Sequence, residues 1–257
     1  MPELPEVEVV RRSLVALRGA KIARVECADP RIGRIEIDAV GSRVREVGRR
    51  GKWLRLALDR GVVFSHLGMT GDWTLTSPDA PPLRFERARL DAGAASARYT
   101  DPRRFGRFVV APEDIDAWRE LGPDPLLDGI DEARLLAILK KRRRTVKEVL
   151  MDQAVLAGVG NILAIEALWR AAVDPRTPSH RMTPRDVRAI ARELRRVIRA
   201  TIAHDERVLA GKRSRAPFRV YGRAGEPCPR CAATLRAVVL GGRTTTLCLR
   251  CQRPHAS

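Results

Sequence analysis

Four of the five cysteines in this 257-residue chain lie within its last thirty residues, as two Cys-x-x-Cys pairs. The pairs Cys228–Cys231 and Cys248–Cys251 are separated by sixteen residues. One such pair alone would suit a redox dithiol, but two at this separation predict a single Zn²⁺ site closed by four thiolates. Because thiolates fill all four positions, no metal-bound water remains, and the predicted zinc stabilises a hairpin without taking part in chemistry.

Two loop motifs together supply arginines and apolar side chains. The stretch YTDPRRFGRF sets Arg103 and Arg104 beside Phe105, and HLGMTG places Met69 on a glycine-flanked turn. An apolar wedge with an arginine could fill the gap that an extruded base leaves in a DNA stack. Taken singly, each motif also fits a buried Phe or Met with solvated arginines.

Glycines also mark a candidate phosphate site. In VLAGVGNILAIEALWRA, Gly158 and Gly160 precede a helical pattern, so backbone N–H groups at the helix start could bind phosphate. Asn161 there could instead be a plain N-cap. Arg243, beside the Gly241–Gly242 turn of the cysteine hairpin, could enter a DNA groove or be solvated.

The overall charge points to a polyanionic partner. The chain has 49 Lys and Arg against 31 Asp and Glu, a formal net charge of +18. Nucleic acid is the favoured partner and an anionic membrane surface the competitor. No apolar run approaches the roughly 18 residues of a membrane span, and the acidic start does not resemble a signal peptide. We therefore expect a cytoplasmic protein.

The elements that must position these residues change along the chain. An amphipathic helix ends near Gly19, alternating strand-like runs continue to about Ala111, and LGPDPLLDGID reads as a linker. Helical patterns follow to about residue 205, and a basic stretch leads to the cysteine hairpin. These patterns predict an α+β protein with an antiparallel sandwich or barrel and a helical second half.

Together the motifs resemble the formamidopyrimidine-DNA glycosylase/endonuclease VIII family of base-excision repair enzymes. The resemblance covers nearly the whole chain through PELPEVE, RRGKWL, HLGMTG, YTDPRRFG, LGPDPL, GVGN, VYGRAGEPC and CQR. The opening PELPEVE is closer to the formamidopyrimidine branch. The implied fold is an N-terminal helix plus antiparallel β-sandwich, then a helix-two-turns-helix region with a four-cysteine zinc finger hairpin. The implied boundaries are a catalytic domain 1–118, a linker 119–127, a DNA-binding domain 128–215 and the finger 216–257.

The resemblance also implies a mechanism for the opening residues. After removal of Met1, the Pro2 amine would attack C1′ and form a Schiff base. An α-amine has an ordinary pKa of about 7.7–8.0, and the positive end of the following helix lowers it further. Glu3 would be the proton donor and Glu6 a supporting carboxylate. The implied activity is a bifunctional glycosylase/AP lyase that cleaves the strand by β/δ-elimination.

Further site residues follow from the same resemblance. Lys52 would donate a proton in β-elimination, and Arg243 would assist δ-elimination. Other residues would fill the vacated stack or lie near DNA phosphates: Met69, Arg103, Phe105, His66, Arg142, Arg143, Arg144, Lys147 and Asn161. The implied partner is double-stranded damaged DNA, bound by a nucleoid-associated monomer with one structural zinc. The alternative is a damaged-DNA-binding protein of this fold without catalysis, as retention of Met1 would produce.

The chain departs from the family pattern at two places. The glycine-rich loop expected to close over oxidised guanine is replaced by the shorter DERVLAGKRSRAPF, and Phe85 stands where a DNA-contacting histidine is expected. We therefore expect weaker selection of 8-oxoguanine over other lesions.

Overall fold

The computed structural model describes residues 2–253, and the chain divides into two compact units after Glu120. Within the described part, no helix combines the length and the apolar character that crossing a bilayer requires.

The first unit begins with helix α1, Leu4–Leu14, which continues into a 3-10 turn, Val15–Leu17. Val7, Val10 and Leu14 recur at the helical period and are buried. The α1 helix packs against strands of both β-sheets of this unit.

Nine strands and a short helix, α2, complete this unit. Their bounds are β1 Ile22–Cys27, β2 Gly33–Ile35, β3 Val44–Arg50, β4 Trp53–Leu58, β5 Val62–His66, β6 Asp72–Thr76, β7 Glu86–Ala92, β8 Ala95–Thr100, β9 Arg107–Ala111 and α2 Asp116–Arg119. One sheet has the order β1-β7-β8-β6 and the other β2-β9-β5-β4-β3. The buried apolar side chains of α1 and of both sheets form one core. The predicted sandwich is confirmed.

One strand pairing differs from the all-antiparallel prediction. The three-residue strand β2 runs parallel to β9. Gly33 permits this pairing, because a Cβ there would lie 1.9 Å from the carbonyl oxygen of Phe108. The alternation pattern missed β2 because three residues are too few to show a period.

The second unit is helical and ends in a hairpin. Its elements are α3 Glu132–Lys140, α4 Val146–Leu150, α5 Asn161–Arg170, a 3-10 turn Ser179–Arg181, α6 Pro184–Leu209, β10 Arg236–Leu240 and β11 Arg243–Leu247. Thr183 caps α6 by accepting from the Asp186 N–H, and Pro184 follows at the first helical position, as predicted. The Gly241–Gly242 turn has φ values of +54° and +69°, typical of a tight two-residue hairpin.

Candidate nucleic-acid interface and catalytic residues

The first group of candidate residues lies at the start of α1. Pro2 is half-buried in the extended chain before the helix, and Glu3 is the N-cap with 1% of its surface exposed. The Glu3 N–H donates to Oε2 of Glu6 at 2.9 Å. Glu6 therefore holds the first helical turn, and Pro2 lies at the positive end of the helix dipole. Met1, whose removal would free the Pro2 amine, lies outside the described residues.

A buried ionic cluster ties α1 to the β3–β4 hairpin. Arg49 Nε contacts Glu8 Oε2 at 3.1 Å, and Arg49 Nη1 donates to the Gly51 carbonyl at 2.9 Å. Burial raises the pKa of Glu8, but hydrogen bonds from Arg11, Arg12 and Arg49 outweigh it and lower the pKa to about 2. The cluster links the helix of Pro2 to the turn that carries Lys52. Sequence reasoning missed Glu8, although an acid between Val7 and Val9 on a buried face was a signal.

Lys52 and His66 lie at the same end of the neighbouring strands β4 and β5. Trp53, next to Lys52, pairs in register with His66, and their ring centroids are 5.1 Å apart. Burial, together with the charges of Lys52 and Arg107, lowers the pKa of His66 to about 4. The Gly68 N–H donates to His66 Nδ1 at 3.0 Å, which assigns the ring proton to Nε2. At neutral pH, His66 is thus an uncharged hydrogen-bond donor through Nε2.

The two predicted wedge loops lie against each other. A Cβ on Gly68, which has φ +62°, would lie 2.4 Å from the backbone carbon of Phe105. The buried Asp101 joins the loops, because Oδ1 accepts from the Thr70 hydroxyl at 2.6 Å and Oδ2 accepts from the Gly106 N–H at 2.8 Å. Burial raises the pKa of Asp101, but these hydrogen bonds outweigh it and the pKa is lowered. Sequence reasoning missed this positioning carboxylate.

The apolar tips of these loops reach solvent. Phe105 exposes 54% of its surface and Met69 is half-buried. The Arg103 guanidinium lies 4.8 Å from the centroid of the Phe105 ring, and Arg104 pairs with Asp29 at 3.1 Å. The alternative in which Phe105 is a buried core residue is therefore wrong.

In the second unit, Asn161 and Lys147 contact β11. The N-cap of α5 is Gly160, so the interpretation of Asn161 as an N-cap is wrong. Asn161 Nδ2 donates to the Thr244 carbonyl at 3.1 Å. Lys147 is fully buried, and its Nζ donates to the Thr245 hydroxyl at 2.7 Å. Both side chains position the hairpin that carries Arg243.

The basic run before α4 is partly neutralised. Arg142 and Arg144 both contact Oδ2 of Asp152, at 2.7 Å and 2.8 Å. Arg143 is exposed between them, and no ion pair is recorded for it among the described residues. Arg143 therefore offers an external phosphate a guanidinium that is unpaired in the described part of the chain, whereas Arg142 and Arg144 offer solvent-accessible but partly neutralised ones.

The four C-terminal cysteines form one cluster. Their sulfur atoms all lie within 4.8 Å of one another, with Cys228–Cys251 at 3.9 Å and Cys231–Cys248 at 3.5 Å. Zn–S bonds of about 2.3 Å in a tetrahedron require S–S separations of about 3.8 Å. The cluster therefore fits a tetrahedral metal ion. Gln252 fastens this region to the helices by donating from Nε2 to the Val173 carbonyl at 2.8 Å.

Two further side chains, the buried Glu166 and the half-buried Gln153, organise loops and were missed from the sequence. Oε1 of the buried Glu166 accepts from three successive N–H groups, those of Arg219, Val220 and Tyr221, at 2.8–2.9 Å. Gln153 Oε1 accepts from the Gly158 N–H at 2.8 Å, and its Nε2 donates to the Val159 carbonyl at 2.9 Å. Glu166 thereby fixes the VYGR segment, and Gln153 fixes the GVGN loop.

The fold and these surfaces define a nucleic-acid-binding α+β protein with a helical unit and a four-cysteine finger. Family models match three stretches: the formamidopyrimidine-DNA glycosylase N-terminal domain over residues 1–108, its H2TH domain over 121–212, and the zinc finger found in FPG and IleRS over 225–254. The chain belongs to the formamidopyrimidine-DNA glycosylase family.

Relatives and solved structures match along the full length. The formamidopyrimidine-DNA glycosylase of Pseudomonas paraeruginosa is 38% identical over 98% of this chain and 100% of its own. The MutM (Fpg) structure from Thermus thermophilus is 36% identical, with a TM-score of 0.83 over 99% of this chain and 100% of that one. The Lactococcus lactis Fpg in complex with DNA containing FAPY-dG is 28% identical, with a TM-score of 0.87 over 98% and 100%.

Proposed function

We propose that this protein is a bifunctional DNA glycosylase/AP lyase that removes oxidised bases from double-stranded DNA. The observation that carries the proposal is the N-terminus of α1, where Pro2 lies at the positive helix end beside the buried carboxyl of Glu3. The Glu8–Arg49 contact connects this helix to the turn of Lys52. The solved Lactococcus lactis relatives are complexes with damaged DNA, one with FAPY-dG and one with an abasic site.

The reaction begins with the free secondary amine of Pro2. Its nitrogen lone pair attacks C1′, the glycosidic bond breaks, and Glu3 supplies a proton to the leaving base or to the opening sugar. The amine then loses its proton, the C1′–O4′ bond breaks as O4′ takes up a proton, and the iminium ion formed between the Pro2 nitrogen and C1′ acidifies the C2′ proton. Removal of that proton expels the 3′-phosphate, with Lys52 as proton donor in this β-elimination. Arg243 assists the second elimination at the 5′-phosphate, and hydrolysis of the imine frees Pro2.

Extrusion of the base leaves a gap in the stack, which Met69, Arg103 and Phe105 fill. Their loops are pre-positioned, because Asp101 joins them and Gly68 lies against the Phe105 backbone. Nε2–H of His66 and the guanidinium of Arg143 bind phosphates. One structural Zn²⁺, held by the four cysteines, maintains the hairpin that presents Arg243.

The short segment after α6 favours a broad range of lesions. His204 Nδ1 lies 2.8 Å from the Ser214 hydroxyl, and Arg170 Nη2 donates to the Pro217 carbonyl at 2.8 Å. A segment this short supplies few backbone donors to a flipped purine, and selection by hydrogen bonds requires those donors. We expect single-turnover rates on 8-oxoguanine opposite cytosine to lie near those on oxidised pyrimidines. A many-fold preference for 8-oxoguanine would contradict this.

Borohydride trapping on abasic DNA tests the nucleophile. A protein with a protease-removable N-terminal extension carries Pro2 as an amide, which is not nucleophilic. We expect no trapped complex before cleavage of the extension and full trapping once cleavage leaves Pro2 as the first residue. Trapping at full yield with the extension in place would show that the nucleophile is a residue other than Pro2. DNA binding without trapping in the cleaved protein would favour the non-catalytic alternative.

A further inference from the structure

The outer face of α6 carries a single row of arginines. Between Pro184 and Ala203, the charged residues of the helix that are exposed rather than half-buried or buried are all arginines: Arg185, Arg188, Arg192, Arg196 and Arg199. The two acids in this stretch are placed otherwise, since Asp186 serves the N-terminal cap and Glu193 is buried. We call these five residues the α6 arginine row.

The spacing of the α6 arginine row gives it a defined shape. At 100° and 1.5 Å per residue, the five positions fall within an arc of about 80° and extend over about 21 Å. The opposite face of α6, which includes Val187, Ile190 and Leu194, is buried, and the helix packs on α3 and α5. The row is therefore a straight cationic ridge that points away from these two helices.

The charges of the row are only partly balanced. Arg192 and Arg196 share Glu193, at 3.0 Å and 3.9 Å. For Arg185, Arg188 and Arg199 no ion pair is recorded within residues 2–253. Like charges at helical neighbour positions repel one another, so an external anion stabilises the row.

We propose that the α6 arginine row binds the phosphate backbone of a second segment of double-stranded DNA. Guanidinium groups bind phosphate oxygens in pairs, and a rigid row matches a backbone with regularly spaced charges. The face from Pro184 to Ala203 exposes no large apolar side chain, whereas protein interfaces rely on buried apolar and aromatic anchors. The residues of the α6 arginine row are also distinct from the proposed site residues of this unit. Lys147, Asn161 and Arg243 lie on α4, α5 and β11.

A second duplex site goes beyond the proposed function, because it serves the search for damage rather than its removal. A protein that holds two DNA segments can pass from one to the other without entering bulk solution. Contacts with phosphates carry no sequence information, which suits such transfer.

The test uses the full-length, zinc-loaded protein saturated with a short duplex that contains an abasic-site analogue. A fluorescein-labelled, undamaged 20-bp duplex is then titrated at several salt concentrations, and its anisotropy is measured. The variant R185Q/R188Q/R199Q removes three unpaired charges of the row, and R18Q/R60Q/R134Q removes three exposed arginines elsewhere as the control. Single-turnover cleavage of a short lesion duplex is measured on all three proteins.

We expect the wild type to bind a second duplex and the row variant to bind it at least tenfold more weakly. The slope of log K against log salt should fall by about 2–3, since each lost phosphate contact removes about 0.9. The control should change binding less than threefold, and lesion cleavage should be equal in all three proteins. Saturation of the wild type at one duplex, or equal loss in both variants, overturns the proposal. Binding of an acidic peptide but not of DNA by the row would assign it to a protein partner and overturn it as well.

Discussion

The two units position their candidate residues by different physical means. In the first unit, two buried carboxylates position the candidate residues. Glu8 links α1 to the β3–β4 hairpin, and Asp101 joins the loops of Met69 and Phe105. In the second unit, a two-stranded hairpin is held by side-chain contacts from Lys147, Asn161 and Gln252 and by four cysteines. The proposed amine nucleophile thus lies on a unit with a large core of its own, whereas Arg243 lies on a hairpin next to the four-cysteine cluster.

The size of the apolar cores explains the difference. The core of the first unit draws on α1 and both sheets, whereas the cluster at the finger consists of Ile165, Trp169, Val220, Leu235 and two of the cysteines. Small modules with so little apolar burial need a metal or disulfides for stability. Substitutions confined to one unit should therefore have different consequences in the two.

The largest effect is expected from Cys248→Ser. Structural Zn²⁺ contributes about 10–16 kcal/mol to zinc-finger folding, so loss of one ligand should release the metal and unfold the hairpin. We expect DNA affinity to fall at least a hundredfold, measured by fluorescence anisotropy alongside zinc content. The control is Cys27→Ser, because Cys27 lies outside the cluster. Equal DNA affinity in both variants would contradict a structural role of the zinc finger in DNA binding.

Glu8→Ala should destabilise the first unit by about 3–5 kcal/mol, because it leaves Arg49 buried without its carboxylate. Urea unfolding at pH 7 measures this, with the exposed Glu46→Ala as the control. The pKa of Glu8 is lowered from 4.5 to about 2. Its stabilisation is therefore complete above pH 4.5 and is lost as the pH falls towards 2. The difference between wild type and Glu8→Ala should shrink over that window, and a constant difference would argue against the ionic contact.

Gly68→Ala should disturb the wedge. The left-handed backbone alone costs roughly 1–2 kcal/mol for alanine, and the new Cβ would lie 2.4 Å from the Phe105 backbone carbon. Gly93→Ala is the matched control, since Gly93 has φ +61° but its Cβ would meet only the Ala20 Cβ at 3.2 Å. We expect about a tenfold slower base extrusion for Gly68→Ala alone, followed with 2-aminopurine beside the lesion. Equal slowing in both variants would trace the effect to backbone strain.

The smallest effect is expected from Thr245→Val, which removes the hydroxyl that accepts from Lys147 at 2.7 Å. Because Lys147 keeps other contacts, we expect a loss of about 1–2 kcal/mol in the stability of the second unit. Thr246→Val, a buried neighbour on the same strand, is the control. Chemical denaturation followed by hydrogen exchange of the hairpin amides reports the difference. Identical exchange in the two variants would show that Lys147 does not position β11.

Local patterns in the sequence predicted a large part of this structure. The Cys-x-x-Cys spacing identified the four clustered thiols, the Thr183–Pro184 pair marked the start of α6, and alternation found most strands. Each of these features depends on residues within one turn or one strand, so it can be read without knowledge of the fold. The short strand β2 was missed, and the N-cap of α5 was assigned to Asn161 instead of Gly160. In both cases a few residues carry too weak a pattern.

The sequence by itself therefore determined which residue types could supply an amine, a wedge, a metal site and cationic contacts. Only the tertiary structure decided their partners, because those contacts join residues far apart in the chain: Glu8 with Arg49 across 41 positions, Asn161 with Thr244 across 83, and Lys147 with Thr245 across 98. Periodicity shows that a side chain faces inward but not which side chain it meets there. The burial of Lys147, the exposure of Phe105 and the junction at Asp101 all depend on such long-range packing.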